Sequence, residues 1–184
     1  SRPAAGFVLG LLCVFSTCAS LPAVTDRAES ITSKAVRLAR EGGHEEALAL
    51  LESAIKDNPG DARVRRDYVV VLSWAGRDSE AVRQFEKLPD GDGTPAYVRR
   101  EVAKSYRNVK QYTGAASIYR KLLDEDPVDA DAARGLALTY ADMGQTDDAL
   151  MVLAKVLAAI GDHTGLLFTR ASLYWRKSDH LRAL

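Results

Sequence analysis

Alanine returns every 34 residues along this chain, at Ala47, Ala81, Ala115, Ala149 and Ala183, with no insertion between them. A fixed period of that length marks a chain built from copies of one supersecondary unit, each too small to bury its own apolar face and so obliged to stack on its neighbours. Framing the copies at 28–61, 62–95, 96–129, 130–163 and a truncated 164–184 aligns further columns. Ala35, Val69, Ala103, Ala137 and Ala171 form one; Leu38, Leu72, Tyr106, Tyr140 and Tyr174 form another; Leu51, Phe85, Tyr119 and Leu153 form a third. Small side chains thus recur where two helices must approach closely, and large ones where space beside a neighbour must be filled.

The punctuation between columns says what the unit is. Gly42, Gly76 and Gly144 share the position between the two helices of a copy, where a left-handed C-cap is needed. Pro59 and Pro127 end the second helix of copies one and three, because proline cannot continue a helical ladder. Copy two is irregular: Pro89 arrives early and Asp90 to Pro95 form a turn-rich link, yet the period survives. Period, columns and terminators resemble the tetratricopeptide repeat (TPR) family. That resemblance implies an all-α fold, a right-handed superhelical solenoid of antiparallel helix pairs with a concave groove. Such a solenoid ends in a polar capping helix, so a stop at Leu184, inside a second helix, leads us to expect further chain beyond it.

Composition supports a folded array and removes other classes. Hydrophobic residues make up 47% and charged residues 27%, ordinary for a globular domain and unlike a disordered tail. The 25 Lys+Arg balance 25 Asp+Glu, so the overall positive charge of a nucleic-acid binder is missing. Cys13 and Cys18, and likewise His44, His163 and His180, lack metal-ligand spacing, so no metal or cofactor is expected. At the N-terminus, Ala4 to Phe15 is an uncharged, mostly apolar run behind Arg2, followed by Ser16, Thr17, Cys18, Ala19 and Ser20. The run is shorter than the roughly 20 residues of a transmembrane helix and matches the core and small-residue tail of a secretory signal peptide. We expect a signal peptide over 1–23, cut after Ala19 or Ala23; a buried N-terminal helix and a lipid-anchored Cys18 are the alternatives. A cut after Ala19 leaves a mature chain without thiols, which suits an oxidising compartment.

Catalytic motifs are missing: the sequence has no Gly-rich phosphate loop after a strand, no G-x-S-x-G elbow, no H-E-x-x-H and no paired-cysteine motif. Glu45-Glu46 and Asp147-Asp148 open second helices, where negative charge complements the helix dipole. The expectation is a binding scaffold and not an enzyme. Its binding face is the groove, lined by the exposed side of each first helix. Those columns hold Arg63, Arg66, Val70 and Trp74 in copy two, and Tyr97, Arg100, Lys104, Arg107 and Asn108 in copy three. Copy four adds Arg134, and copy five adds Phe168, Trp175 and Arg176. Cations interleaved with aromatics predict a basic strip that steers an acidic partner and holds its carboxylates with bidentate contacts. The plainer reading is that these cations solvate helices and pair with Asp and Glu at neighbouring turns.

Three strings are more specific than the columns. They are Ser73-Trp74-Ala75-Gly76-Arg77-Asp78 with Ala81-Val82, then Val102-Ala103-Lys104-Ser105-Tyr106-Arg107-Asn108 with Gln111-Tyr112, and then Gly135-Leu136-Ala137-Leu138-Thr139-Tyr140-Ala141-Asp142 with Gly144 and Asp148-Ala149-Leu150. From about residue 28 onward the chain resembles the periplasmic TPR region of bacterial poly-β-1,6-N-acetyl-D-glucosamine export porins of the PgaA type. The resemblance implies a periplasmic location as part of an outer-membrane protein, with a signal peptide before the repeats and a β-barrel after them. It implies a role in biofilm polysaccharide export, with a periplasmic polysaccharide deacetylase as protein partner and poly-N-acetylglucosamine as a second ligand of the array. Deacetylation makes that polymer cationic, and a basic strip should repel it. The strip is therefore assigned to an acidic protein surface, and Trp74, Tyr97 and Trp175 to sugar rings. Two other classes remain: a generic TPR adaptor, such as one from a cellulose or alginate secretion system, and the accessory array of an enzyme whose chemistry lies further along the chain.

Overall fold

The backbone turns where the columns place turns. The computed structural model describes residues 23–89 and 93–177, with side chains from residue 31. The expected signal peptide, the link residues 90–92, His180 and Ala183 lie outside the described residues. Within them the chain forms α1 (Ala23–Arg40), α2 (His44–Asp57), α3 (Ala62–Trp74), α4 (Asp78–Phe85), α5 (Ala96–Asn108), α6 (Tyr112–Glu125), α7 (Ala130–Asp142), α8 (Thr146–Ile160) and α9 (Thr164–Arg176). First helices start at 62, 96, 130 and 164 and second helices at 44, 78, 112 and 146, so the 34-residue spacing holds for both helices of the hairpin.

One chain reversal is repeated four times. The amides of Gly43, Arg77, Gln111 and Gln145 donate to the carbonyls of Leu38, Leu72, Tyr106 and Tyr140 at 2.8–2.9 Å, the six-to-one bond of a Schellman cap. The residue before each donor is left-handed: Gly42 at φ 92°, Gly76 at 74°, Gly144 at 81°, and Lys110 at 65°. Lys110 holds the glycine column in copy three. A side chain there costs roughly 1–2 kcal/mol, and it is tolerated because the closing hydrogen bonds of α5 and α6 impose the same turn. Second helices end as proline requires, with Pro59 and Pro127 directly after the C-caps Asn58 and Asp126. First helices start on a column the sequence reading missed. Asp61 and Asp129 accept from two backbone amides each at the starts of α3 and α7, His163 caps α9, and Pro95 opens α5 without a side-chain cap. In copy two, α4 is only 8 residues long, as the early Pro89 predicts.

Packing follows the columns. Ala47, Ala81, Ala115 and Ala149 are fully buried, as are Ala35, Val69, Ala103 and Ala137. Each first helix packs on the next first helix as well as on its neighbours in sequence, whereas the Cα atoms of different second helices stay more than 8 Å apart among the described residues. The first helices therefore form a continuous inner layer and the second helices splay outside it, which curves the array. Adjoining core clusters share residues, with Trp74 common to the first two and Tyr140, Leu123 and Val152 common to the last two. Val70 departs from expectation. It is buried with Val69, Val98 and Val102, because α3 turns that side toward α5 and away from the groove.

Replacing Lys110 by Gly should relieve the left-handed strain, partly offset by about 0.5–1 kcal/mol of added freedom in the unfolded chain. The expected outcome in thermal unfolding followed by circular dichroism is a midpoint about 1–4 °C higher. An unchanged or lower midpoint would show that the lysine side chain holds the turn by contacts of its own.

Candidate functional site: the inner groove

A groove of about 560 Å³ opens on the inner face of α5 and α7. Six residues expected from the columns meet there: Tyr97, Arg100, Lys104, Arg107 and Asn108 from α5, and Arg134 from α7. Arg63 and Arg66 line a separate hollow of about 270 Å³ with Thr32, Ser33, Asp61, Asp67 and Tyr97. Tyr97, 48% exposed, is the wall common to both. The other aromatics stand apart. Trp74 is half-buried against two core clusters, while Phe168 and Trp175 are exposed on α9 and border neither hollow.

The zero net charge of the chain hides a separation between layers. From residue 31 onward the first helices carry 13 Lys/Arg against 4 Asp/Glu, and the second helices 5 against 10. Three arginines of the basic strip expected from the columns have carboxylate partners. Arg100 lies 3.2 Å from Asp129, Arg107 2.7 Å from Asp142, and Arg134 3.1 Å from Asp131. Asp142 also lies 3.6 Å from Arg176, and Asn108 donates to Asp78 at 3.0 Å. The plainer reading, pairing at a neighbouring turn, describes Arg134 alone; Arg100 and Arg107 reach carboxylates of the next helix pair. Reading one helix at a time hid this, because Asp129 and Asp142 belong to helix pairs packed after the arginines they meet. Lys104 is exposed and makes no ion pair among the described residues.

Three residues of the inner face escaped the sequence. Tyr119 reads as a core column, and it is 95% buried, but its ring lies so close over Gly135 that a Cβ there would sit 2.3 Å from it. The missing side chain at 135 lets the ring reach the groove floor. Burial, with Glu101 adding and Arg107 opposing, pushes its phenol up to about 12, so the hydroxyl stays neutral. The signal available was Gly135 itself, a glycine inside α7 with no turn to make. Glu101 lines the same groove with Oε2 buried and without a hydrogen-bond partner. Asp67 stands between the Arg63 hollow and a neighbouring one bounded by Thr32, Ser33, Val36, Arg37 and Arg40. Burial and then Asp61 raise its carboxyl above the ordinary value, against the pull of Arg66. The inner face thus offers cationic donors, carboxylate acceptors and an exposed ring, equipment for holding a polar or charged ligand. Among the described residues no group of His, Cys, Asp and Glu is arranged to hold a metal ion, and no helix is long and apolar enough to cross a membrane.

The repeated hairpin, its caps and its two layers define a class. The tetratricopeptide repeat model matches residues 38–103 and 109–166, and the chain belongs to that family. The chain is similar to the poly-β-1,6-N-acetyl-D-glucosamine export protein of Escherichia coli K12, with 29% identity over 171 residues, or 90% of this chain and 20% of the relative. It therefore spans about a fifth of the length of the curated relatives it matches. Among solved structures, MamA from Desulfovibrio magneticus RS-1 superposes with a TM-score of 0.73 at 22% identity, covering 86% of this chain and 89% of MamA. YrrB, described as a TPR protein with an unusual peptide-binding site, gives 0.67 at 20% identity over 88% of this chain and 87% of its own. At such identities the likeness is one of fold.

Two outcomes follow from this geometry. Gly135→Ala should cost about 1–3 kcal/mol by overpacking against Tyr119, although alanine is the better helix former. In a Tyr119→Leu background, which restores the leucine of Leu51 and Leu153, the same change should be neutral or stabilising, and denaturant unfolding of all four variants reads the coupling. Asp67 has a raised folded-state value, so the folded chain holds the proton more tightly and stability falls as pH rises through that window. Asp67→Asn should therefore stabilise the chain at pH 7, by an amount that shrinks toward pH 4, near the unfolded value of about 3.9. If the Asp67→Asn chain is instead less stable at pH 7, the carboxylate has a favourable partner.

Proposed function

We propose that this chain is the periplasmic TPR scaffold of an outer-membrane exopolysaccharide export protein, and that its inner groove docks the deacetylase that modifies poly-N-acetylglucosamine. The observation that carries the reading is the similarity to the export protein along nine-tenths of this chain. In this reading residues 1–23 are a signal peptide and an outer-membrane barrel follows the repeats. The groove suits a protein partner. The excess of cations on the first helices steers an acidic surface toward it, Lys104 at the opening is available for a carboxylate, and Tyr97 offers an exposed aromatic anchor of the kind that dominates interface energetics. Arg100, Arg107 and Arg134 are already held in place by Asp129, Asp142 and Asp131, so docking need not order them.

That pairing also favours a second reading. Three arginines of the groove pair with Asp129, Asp142 and Asp131, and the unpaired Glu101 carboxylate offsets the charge of Lys104, which leaves a nearly neutral surface and largely removes the repulsion expected for a cationic polymer. Tyr97 and the Tyr119 hydroxyl are then suited to a sugar chain passing along the groove. Calorimetry of the chain against the periplasmic deacetylase and, separately, against partly deacetylated glucosamine oligomers, each at low and high salt, distinguishes the two. Salt-sensitive binding of the protein, weakened about tenfold at low salt by Lys104→Glu, is the expected result. Binding of the sugar alone would make the groove a polymer guide and end the docking assignment.

A further inference from the structure

Because the Cα atoms of successive second helices stay more than 8 Å apart among the described residues, side chains must fill the outer face between them, over a first helix. Between α2 and α4 the chain fills this space itself. Tyr68 of α3 is buried and donates its hydroxyl to Glu52 at 2.6 Å, while Arg65 donates to Gln84 at 2.7 Å and to the Pro59 carbonyl at 2.8 Å. Two copies later, 68 residues on, the same register carries Leu136 for Tyr68, Ala133 for Arg65, Val152 for Gln84 and Arg120 for Glu52. The fillers have become shorter and apolar, and the acceptor has become a cation. A slot of about 240 Å³ remains between α6 and α8, with Leu123, Leu136, Tyr140, Val152 and Val156 inside and Arg120 and Lys155 at its rim.

We propose that this outer slot docks a short segment of a partner protein in which one aromatic or large aliphatic side chain is flanked by carboxylates. The volume is below the roughly 300–1,000 Å³ of small-molecule sites and suits a single large side chain, as Tyr68 demonstrates in the equivalent register. Charge selects the flanks. Arg120 and Lys155 are exposed and in no ion pair among the described residues, Asp124 is the one acid in the lining, and nearby Glu125 is taken by Arg99 at 2.5 Å. Elsewhere the second helices are acidic by two to one or more, so this rim is a local reversal on a surface that otherwise repels an acidic segment. The slot and the inner groove draw on different residues of α7, Leu136 and Tyr140 in the slot against Asp131, Arg134, Gly135 and Leu138 in the groove.

The test is a titration of the full ¹⁵N-labelled chain with the end-blocked peptide Glu-Asp-Phe-Asp-Glu, alongside Glu-Asp-Ala-Asp-Glu and Lys-Lys-Phe-Lys-Lys. Saturable shifts at Leu123, Leu136, Val152 and Val156 are expected for the first peptide, with binding about tenfold weaker for each of the other two. Leu136→Tyr, which copies Tyr68, should abolish the response. Arg120→Glu, a surface change that leaves the slot open, should weaken the acidic peptide about tenfold at low salt and strengthen the basic one. Circular dichroism checks both variants, and Arg120→Glu decides if the Leu136→Tyr chain does not fold. The proposal is overturned by no saturable shift, by shifts elsewhere, by equal response to the three peptides, or by unchanged binding of the Arg120→Glu chain.

Discussion

Everything else in this array depends on how closely the two helices of a hairpin approach at Ala47, Ala81, Ala115 and Ala149, none of which is reached by solvent. A larger side chain at one of these crossings forces the helices apart and strains a close-packed interior. In a repeat fold the damage is not local. Each hairpin sets the position of the next through nearest-neighbour contacts alone, so a changed angle at one crossing displaces every later copy. The left-handed caps make the same demand on the backbone, since a hairpin that reverses differently presents its second helix at another angle. That is why Lys110 adopts a conformation its side chain disfavours.

From these close crossings follow two surfaces of different character. The first helices touch one another and make a continuous inner layer rich in cations, whereas the second helices stand apart and carry an excess of acids. On the inside, charges of successive copies face one another and pair. On the outside, the gaps between helices must be filled or left open, and the choice rests on single residues. Tyr68 fills one gap with the help of Glu52; Leu136 leaves another open. Gly135 shows the same economy inside, where one missing side chain brings the Tyr119 ring to the groove floor.

Much of the fold was legible in the residues, and for identifiable reasons. The alanine columns report burial because neighbouring copies repeat the same contact, with Ala171 in the last copy half-buried; of the larger column Leu72 is buried, whereas Leu38, Tyr106, Tyr140 and Tyr174 are half-buried. Gly42, Gly76 and Gly144 report a backbone conformation that other residues avoid, and Pro59 and Pro127 report helix ends through their own chemistry. The groove was legible in part. The positions of Tyr97, Arg100, Lys104, Arg107, Asn108 and Arg134 on the inner faces of α5 and α7 follow from helical periodicity, and they do line one groove. Val70 and Trp74 failed the same rule because α3 packs that side against its neighbours.

By itself, then, the sequence determined the period, the hairpin, its caps and the buried columns, all of which arise from local sterics and from contacts that recur every 34 residues. Only the tertiary structure decided which charges are neutralised, how Tyr97 divides the inner face into two hollows, how Tyr119 reaches the groove, and where the outer face stays open. The physical reason is distance along the chain. Arg100 meets Asp129 29 residues away and Arg107 meets Asp142 35 residues away, and such pairs form only when one hairpin is set on the next at a particular angle. That angle is a property of packed helices and is written in no single one of them.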